Sequence, residues 1–200
     1  MRSHTIENAK KAIDSLSVDT VTNMVSTKNP FACNTNGQSN IDCSIISMNT
    51  IQDNITGFLN QKKIAVAGVS RNGDTAGNLI YKKLRSSGYQ VYAINPNASE
   101  VEGDIAFENI AAIPDGIDAL VIATHPDQAP GLVQQCRAAG VRHLWFHRSM
   151  GQGSYNEEAV RTAEALGMSV IPGGCPMMFC EPVDIFHKCL KWVTRFPEKS

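Results

Sequence analysis

At 200 residues the chain suffices for one domain with a sizeable core, and its 42% hydrophobic and 18% charged residues are ordinary for a globular protein. A formal net charge of -1 excludes general electrostatic capture of nucleic acid or anionic membrane, and no apolar run approaches the ~18 residues of a membrane span. The six cysteines show neither a CxxC pair nor zinc spacing, so no metal site is expected and a reduced, cytoplasmic setting is.

Residues 1–47 are rich in Asn, Ser and Thr, with Phe31 their one aromatic residue. A weak helix over Ile6–Leu16 and a loop over Ser26–Asn40 are the most this stretch predicts, and it reads as a poorly ordered extension. Its balanced charges argue against an organelle transit peptide, and no apolar h-region marks it for secretion. From Met48 the pattern changes, with Ile51, Ile55, Phe58 and Leu59 at helical spacing, and residues 48–197 read as the domain.

Strands and helices then alternate. Lys63–Val69 is an apolar run, as in a strand buried on both faces. Thr75–Ser87 follows as a helix with Leu79, Ile80 and Leu84 inward, and Tyr89–Asn95 is the second strand, stopped by Pro96. Phe107–Ile113 reads as a helical turn. Asp118–Thr124 is the third strand, Asp127–Ala139 a helix burying Leu132, Val133 and Cys136, and Arg142–His147 the fourth strand. Asn156–Leu166 is a helix, Met168–Ile171 the fifth strand, and Val183–Arg195 a closing helix that buries Val183, Phe186, Leu190 and Val193. This alternation predicts an α/β fold, a Rossmann-like doubly wound parallel sheet of five strands in the order 3-2-1-4-5 with helices on both faces. Ligands of such sheets bind at the carboxyl ends of the strands.

Within Val66–Gly77 (VAGVSRNGDTAG), Gly68, Ser70 and Gly73 form G-x-S-x-x-G, a variant of the dinucleotide fingerprint. It follows the first strand and opens a helix, the context that lets backbone N–H groups and the helix dipole hold a phosphate. Ser70 adds a hydroxyl and Arg71 a charge, while Asp74 or Thr75 caps the helix. The second strand ends Ile94-Asn95-Pro96-Asn97 with no carboxylate before Glu100, which counts against NAD.

Several segments together resemble the CoA-binding domain family, the stand-alone relatives of the amino-terminal domain of the succinyl-CoA synthetase alpha subunit. They are Gly68-Val69-Ser70-Arg71, Val91–Pro96, Gly103 ahead of the stretch ending at Pro114, and Asp118–Ile122. Gly140 before Leu144-Trp145, and Gly174-Cys175-Pro176, complete the set, so the similarity spans about Ile51 to Pro182. The resemblance implies coenzyme A as the ligand. Carried onto this chain, it implies that Gly68, Val69, Ser70, Arg71 and Asn72 contact the pyrophosphate. By the same resemblance Asn95 and Pro96 flank the adenosine, and Thr124, His125 and Pro126 cover the ligand. Where the family often has Asn-Pro-Lys this chain has Asn95-Pro96-Asn97, so a cation suited to the 3′-phosphate is missing.

His147, delivered to a loop by the apolar Leu144, Trp145 and Phe146, is a further candidate for ligand contact. Cys175 reads as a buried cysteine, or as a reactive thiol if cations surround it. No nucleophile elbow, Walker lysine or other complete catalytic constellation emerges. The leading expectation is a non-catalytic or regulatory module that binds CoA or an acyl-CoA. A small NAD(P)-binding oxidoreductase using His147 or Cys175 is the alternative, and an interaction protein with a vestigial pocket the third reading. Self-association stays open.

Overall fold

A computed structural model describes residues 43–149 and 151–194; the extension expected at 1–42, with its weak helix and loop, lies outside the described residues. The elements, in chain order, begin with α1 (Cys43–Leu59), β1 (Lys63–Ala67), α2 (Ala76–Ser86), β2 (Gln90–Ile94), β3 (Glu100–Val101) and β4 (Asp104–Phe107). There follow β5 (Ala119–Ile122), α3 (Ala129–Ala139), β6 (His143–Phe146), α4 (Glu157–Ala165), β7 (Ser169–Ile171) and α5 (Ile185–Thr194). Short 3-10 turns sit at Ile110–Ala112, Pro126–Gln128 and Pro176–Met178. None of the described helices is long and apolar enough to cross a membrane.

Among the described residues the sheet has seven strands in the order β3-β4-β2-β1-β5-β6-β7, all parallel except β3, which pairs antiparallel with β4. The doubly wound parallel architecture is thus as expected, but five strands become seven. Asp118–Thr124, expected as the third strand, lies beside β1 rather than beyond β2, because β4 takes the third place. Phe107–Ile113, expected as a helical turn, is the end of β4 followed by a single 3-10 turn. The hairpin feeding β4 turns on Glu102 (φ 52) and Gly103 (φ 80), both left-handed as a two-residue hairpin connection requires.

Each central strand alternates its side chains between two cores. Ile64, Val66, Val121 and Trp145 face α1 and α2, where Ile51, Ile55, Phe58, Ile80, Tyr81 and Leu84 close the layer. Ala65, Ala67, Leu120, Ile122, Leu144 and Phe146 face α3 and α4, which contribute Leu132, Val133, Cys136, Ala159, Val160 and Ala163. The Trp145 indole meets the Phe58 ring edge-on at 5.3 Å and donates to the Gly173 carbonyl at 2.9 Å, so its one polar atom is satisfied in the core.

α1 begins at Cys43, ahead of the boundary drawn at residue 48, and buries Ile51, Ile55 and Phe58. Two side chains expected inside are outside. Leu79 is 44% exposed, because the inward positions of α2 fall on Gly77, Asn78, Ile80, Tyr81 and Leu84. Phe186 is 66% exposed, because α5 packs chiefly on the Pro176–Met178 turn and this residue faces away from it.

Candidate functional site

β1 runs into Gly68, whose φ of 98 turns the chain where β5 leaves no room for a side chain: a Cβ at Gly68 would stand 2.4 Å from the Ala123 carbonyl oxygen. The loop then reaches α2, which is capped by Thr75; its hydroxyl accepts the Asn78 N–H at 3.3 Å. Asn78 is fully buried and makes the loop one rigid piece. Its amide oxygen accepts the Ser70 N–H at 2.9 Å, and its amide nitrogen donates to the Ser70 carbonyl at 2.8 Å and to Glu102 at 2.6 Å. The Asn72 N–H donates to the Ser70 hydroxyl at 3.2 Å. The amides of Val69, Arg71 and Gly73 donate to nothing among the described residues.

A second glycine is as constrained as Gly68. A Cβ at Gly77, in the first turn of α2, would lie 2.4 Å from the Gly68 carbonyl oxygen and 3.1 Å from the Val69 nitrogen. Gly77 therefore lets α2 approach the end of β1. Gly73, the last glycine of the expected fingerprint, needs only its left-handed φ of 67; its Cβ would meet nothing within 4 Å.

Beside this loop, on the α3 face, opens a cleft of about 450 Å³, within the range of small-molecule sites. Its floor is the ends of β1 and β2 (Ala67, Gly68, Val69, Ser70, Ile94), and Asn95, Pro96 and Asn97 form one wall. Glu108, Thr124, Gln128, Gly131, Leu132 and Gln135 complete the lining. The site thus falls at the switch point between β2 and β5 on either side of β1, the place expected of this architecture.

Six of the candidate binding residues meet here: Gly68, Val69, Ser70, Asn95, Pro96 and Thr124. Asn95 is largely engaged by its own chain, donating to the Val69 carbonyl at 2.8 Å and accepting the Asn97 N–H at 2.8 Å. Five others lie outside the lining. Arg71 and Asn72 form the exposed turn above it, and Pro126 is buried under the next turn. His125 caps that turn, accepting the Asp127 N–H at 3.5 Å beside the Asp127 carboxylate. His147 is buried, 7% exposed, and its neighbour Arg148 donates to the Gly151 carbonyl at 2.7 Å and packs on Tyr155. Sequence reading missed Glu108, Gln128, Gly131 and Gln135. Three of these sit on or just before α3, whose outward face carries no periodic signal; Glu108 was hidden with β4.

The two groups expected of an oxidoreductase, His147 and Cys175, are both buried and lie outside the cleft lining. Burial pushes the Cys175 thiol up to about 11 and the His147 imidazole down to about 4, so near neutrality the one is a thiol and the other uncharged. The histidine gives a pH prediction. Its folded value is depressed below the ordinary 6.5, so its contribution is complete above about pH 6.5 and is lost as the pH falls toward 4. Between pH 7.5 and 5 this amounts to about 2 kcal/mol, with His143, also lowered by burial, adding in the same direction. Urea unfolding at the two pH values should show this loss in the parent and a clearly smaller one in His147→Gln. Equal losses would mean that His147 does not gain a proton on unfolding.

Comparison with known proteins agrees with the geometry. The profile of the CoA binding domain matches residues 62–181. The uncharacterised protein YneT of Bacillus subtilis is 28% identical over 114 residues, covering 57% of this chain and 82% of that one. An ADP-forming acetate–CoA ligase of Archaeoglobus fulgidus is 30% identical over 120 residues, 57% of this chain but only 18% of the ligase. A solved structure of a hypothetical protein from Pyrococcus horikoshii superposes with a TM-score of 0.60 at 26% identity, covering 74% of this chain and 99% of that one. The chain belongs to the CoA-binding domain family, and is related to the CoA-binding region of ADP-forming acetate–CoA ligases.

Proposed function

We propose that the chain binds coenzyme A or an acyl-CoA as a non-catalytic module, regulatory or carrying, in the cytoplasm. The observation that carries this reading is the cleft over the first strand-to-helix loop in a chain of the CoA-binding family. The pyrophosphate rests on the free amides of Val69, Arg71 and Gly73 and on the amino-terminal dipole of α2, with the Arg71 guanidinium at the exposed tip of the loop. The adenine lies against Ile94, Pro96 and Leu132. Acyl transfer is not part of the proposal, since the chain spans less than a fifth of the ligase it resembles. Nor is redox catalysis, since His147 and Cys175 are buried away from the cleft.

Calorimetric titration of CoA tests the proposal. Binding is expected in the parent, and Arg71→Ala should weaken it about tenfold, less at high salt, because the contact is charge-assisted and partly exposed. Absence of any heat or thermal stabilisation with CoA would overturn the reading. An unchanged affinity in Arg71→Ala would remove that side chain from the site.

A further inference from the structure

In a doubly wound sheet that holds a pyrophosphate on the first loop, the adenosine ribose lies at the end of the second strand, where a carboxylate accepts from unphosphorylated hydroxyls and a cation receives a ribose phosphate. Here β2 is followed by Asn95, whose amide already serves Val69 and Asn97. The neighbouring strand supplies a different group. β4 is parallel to β2 with Ile94 opposite Phe107, and the Asn95 N–H donates to the Phe107 carbonyl at 2.9 Å. The next residue, Glu108, therefore stands beside Asn95, one strand spacing or about 4.8 Å across, and lines the cleft. Its carboxylate makes no hydrogen bond or ion pair among the described residues, and the cleft lining contains neither lysine nor arginine.

We infer that Glu108 is the ribose-recognising group of this site, and that the site selects a nucleotide whose ribose 3′ position is a free hydroxyl: 3′-dephospho-CoA binds more tightly than CoA. The inference rests on the proposed binding of a CoA-type nucleotide in this cleft. A carboxylate accepts hydrogen bonds from ribose hydroxyls, but a phosphate in the same place offers it a like charge with no donor between them. The pyrophosphate loop is indifferent to this difference, so the discrimination resides at the far wall of the cleft.

The test is a titration of 3′-dephospho-CoA, CoA and NAD into the parent, Glu108→Gln and Glu108→Lys. In the parent, 3′-dephospho-CoA should bind about tenfold or more tighter than CoA. Glu108→Gln should bring the two within about threefold, and Glu108→Lys should invert the order, because a lysine gives the 3′-phosphate a counter-ion. Glu108 is exposed, so both variants should keep the parent's circular dichroism and melting temperature. CoA binding as tightly as 3′-dephospho-CoA in the parent would overturn the inference while leaving the proposed function standing. No binding of either would overturn both. A preference for NAD over 3′-dephospho-CoA would also overturn the inference, by showing that the site is built for a dinucleotide.

Discussion

Replacing Gly77 by alanine should destabilise the domain by about 3 kcal/mol or more, whereas the same change at Gly73 should cost about 1 kcal/mol. The two differ in what the new methyl group meets. At Gly77 it would stand 2.4 Å from the Gly68 carbonyl oxygen, a backbone atom fixed at the end of a central strand. Either α2 moves away from the sheet, opening the packing of Ile80, Tyr81 and Leu84, or the loop shifts and breaks its bonds to Asn78. At Gly73 there is open space, and only the left-handed backbone is penalised. For a domain of this size the difference should appear as roughly five degrees or more in melting temperature. Equal melting temperatures would show that α2 and β1 are not held in close contact.

That contrast also shows where the sequence was legible. The run VAGVSRNGDTAG is visible as a strand, a turn and a helix start, because apolar residues, glycines and a capping threonine each leave a local signature. Which glycine does which work is not local. Gly68 and Gly77 are defined by the Ala123 and Gly68 carbonyls that cross them, and a crossing of distant segments leaves no trace in spacing. The buried strands β1, β5 and β6 were read correctly for the same reason that β4 was not. The first three are continuous apolar runs, covered on both faces, while β4 (Asp-Ile-Ala-Phe) lies near the sheet edge with Ile105 71% exposed. Its signature was the turn before it, where Glu102-Gly103 joins two short extended pieces, and such a turn with glutamate in the first left-handed position is a faint signal.

The cost of missing β4 fell on the site. Without that strand the end of β2 has no carboxylate near it, and the absence weighs against ribose recognition. With it, Glu108 stands beside Asn95 and the far wall of the cleft acquires its charged group. The candidate site residues divide in the same way. Those on strand ends (Gly68, Val69, Asn95, Thr124) reach the cleft because strand register carries them there. His147 continues the core beyond β6, and local polarity gave no indication that it is buried.

The largest effect on ligand binding is expected at Gly131, a residue with no polar chemistry at all. It lies in α3 facing the cleft, and a Cβ there would meet nothing within 4 Å. Gly131 is the third residue of α3, a first-turn position where glycine is less favourable than alanine by up to about 1 kcal/mol, so neither propensity nor packing accounts for its presence. Open space over the cleft does. Side chains on a helix lean toward its amino terminus, so a leucine at 131 would extend over Gln128 and Thr124 and fill the opening between α3 and the end of β2. Gly131→Leu should therefore hold or raise the melting temperature of the free protein while weakening CoA and 3′-dephospho-CoA by about a hundredfold or more through direct overlap. Gly131→Ala separates the two effects: it should gain most of the helix stability and lose less of the affinity, because one methyl group obstructs less of the opening. Stability measured by urea unfolding and affinity by calorimetry decide the matter together. A Gly131→Leu protein that melts at or above the parent temperature and still binds as the parent does would place the nucleotide outside this cleft. One that loses both would show that α3 needs the glycine for its own packing, because a variant that unfolds cannot report on the ligand.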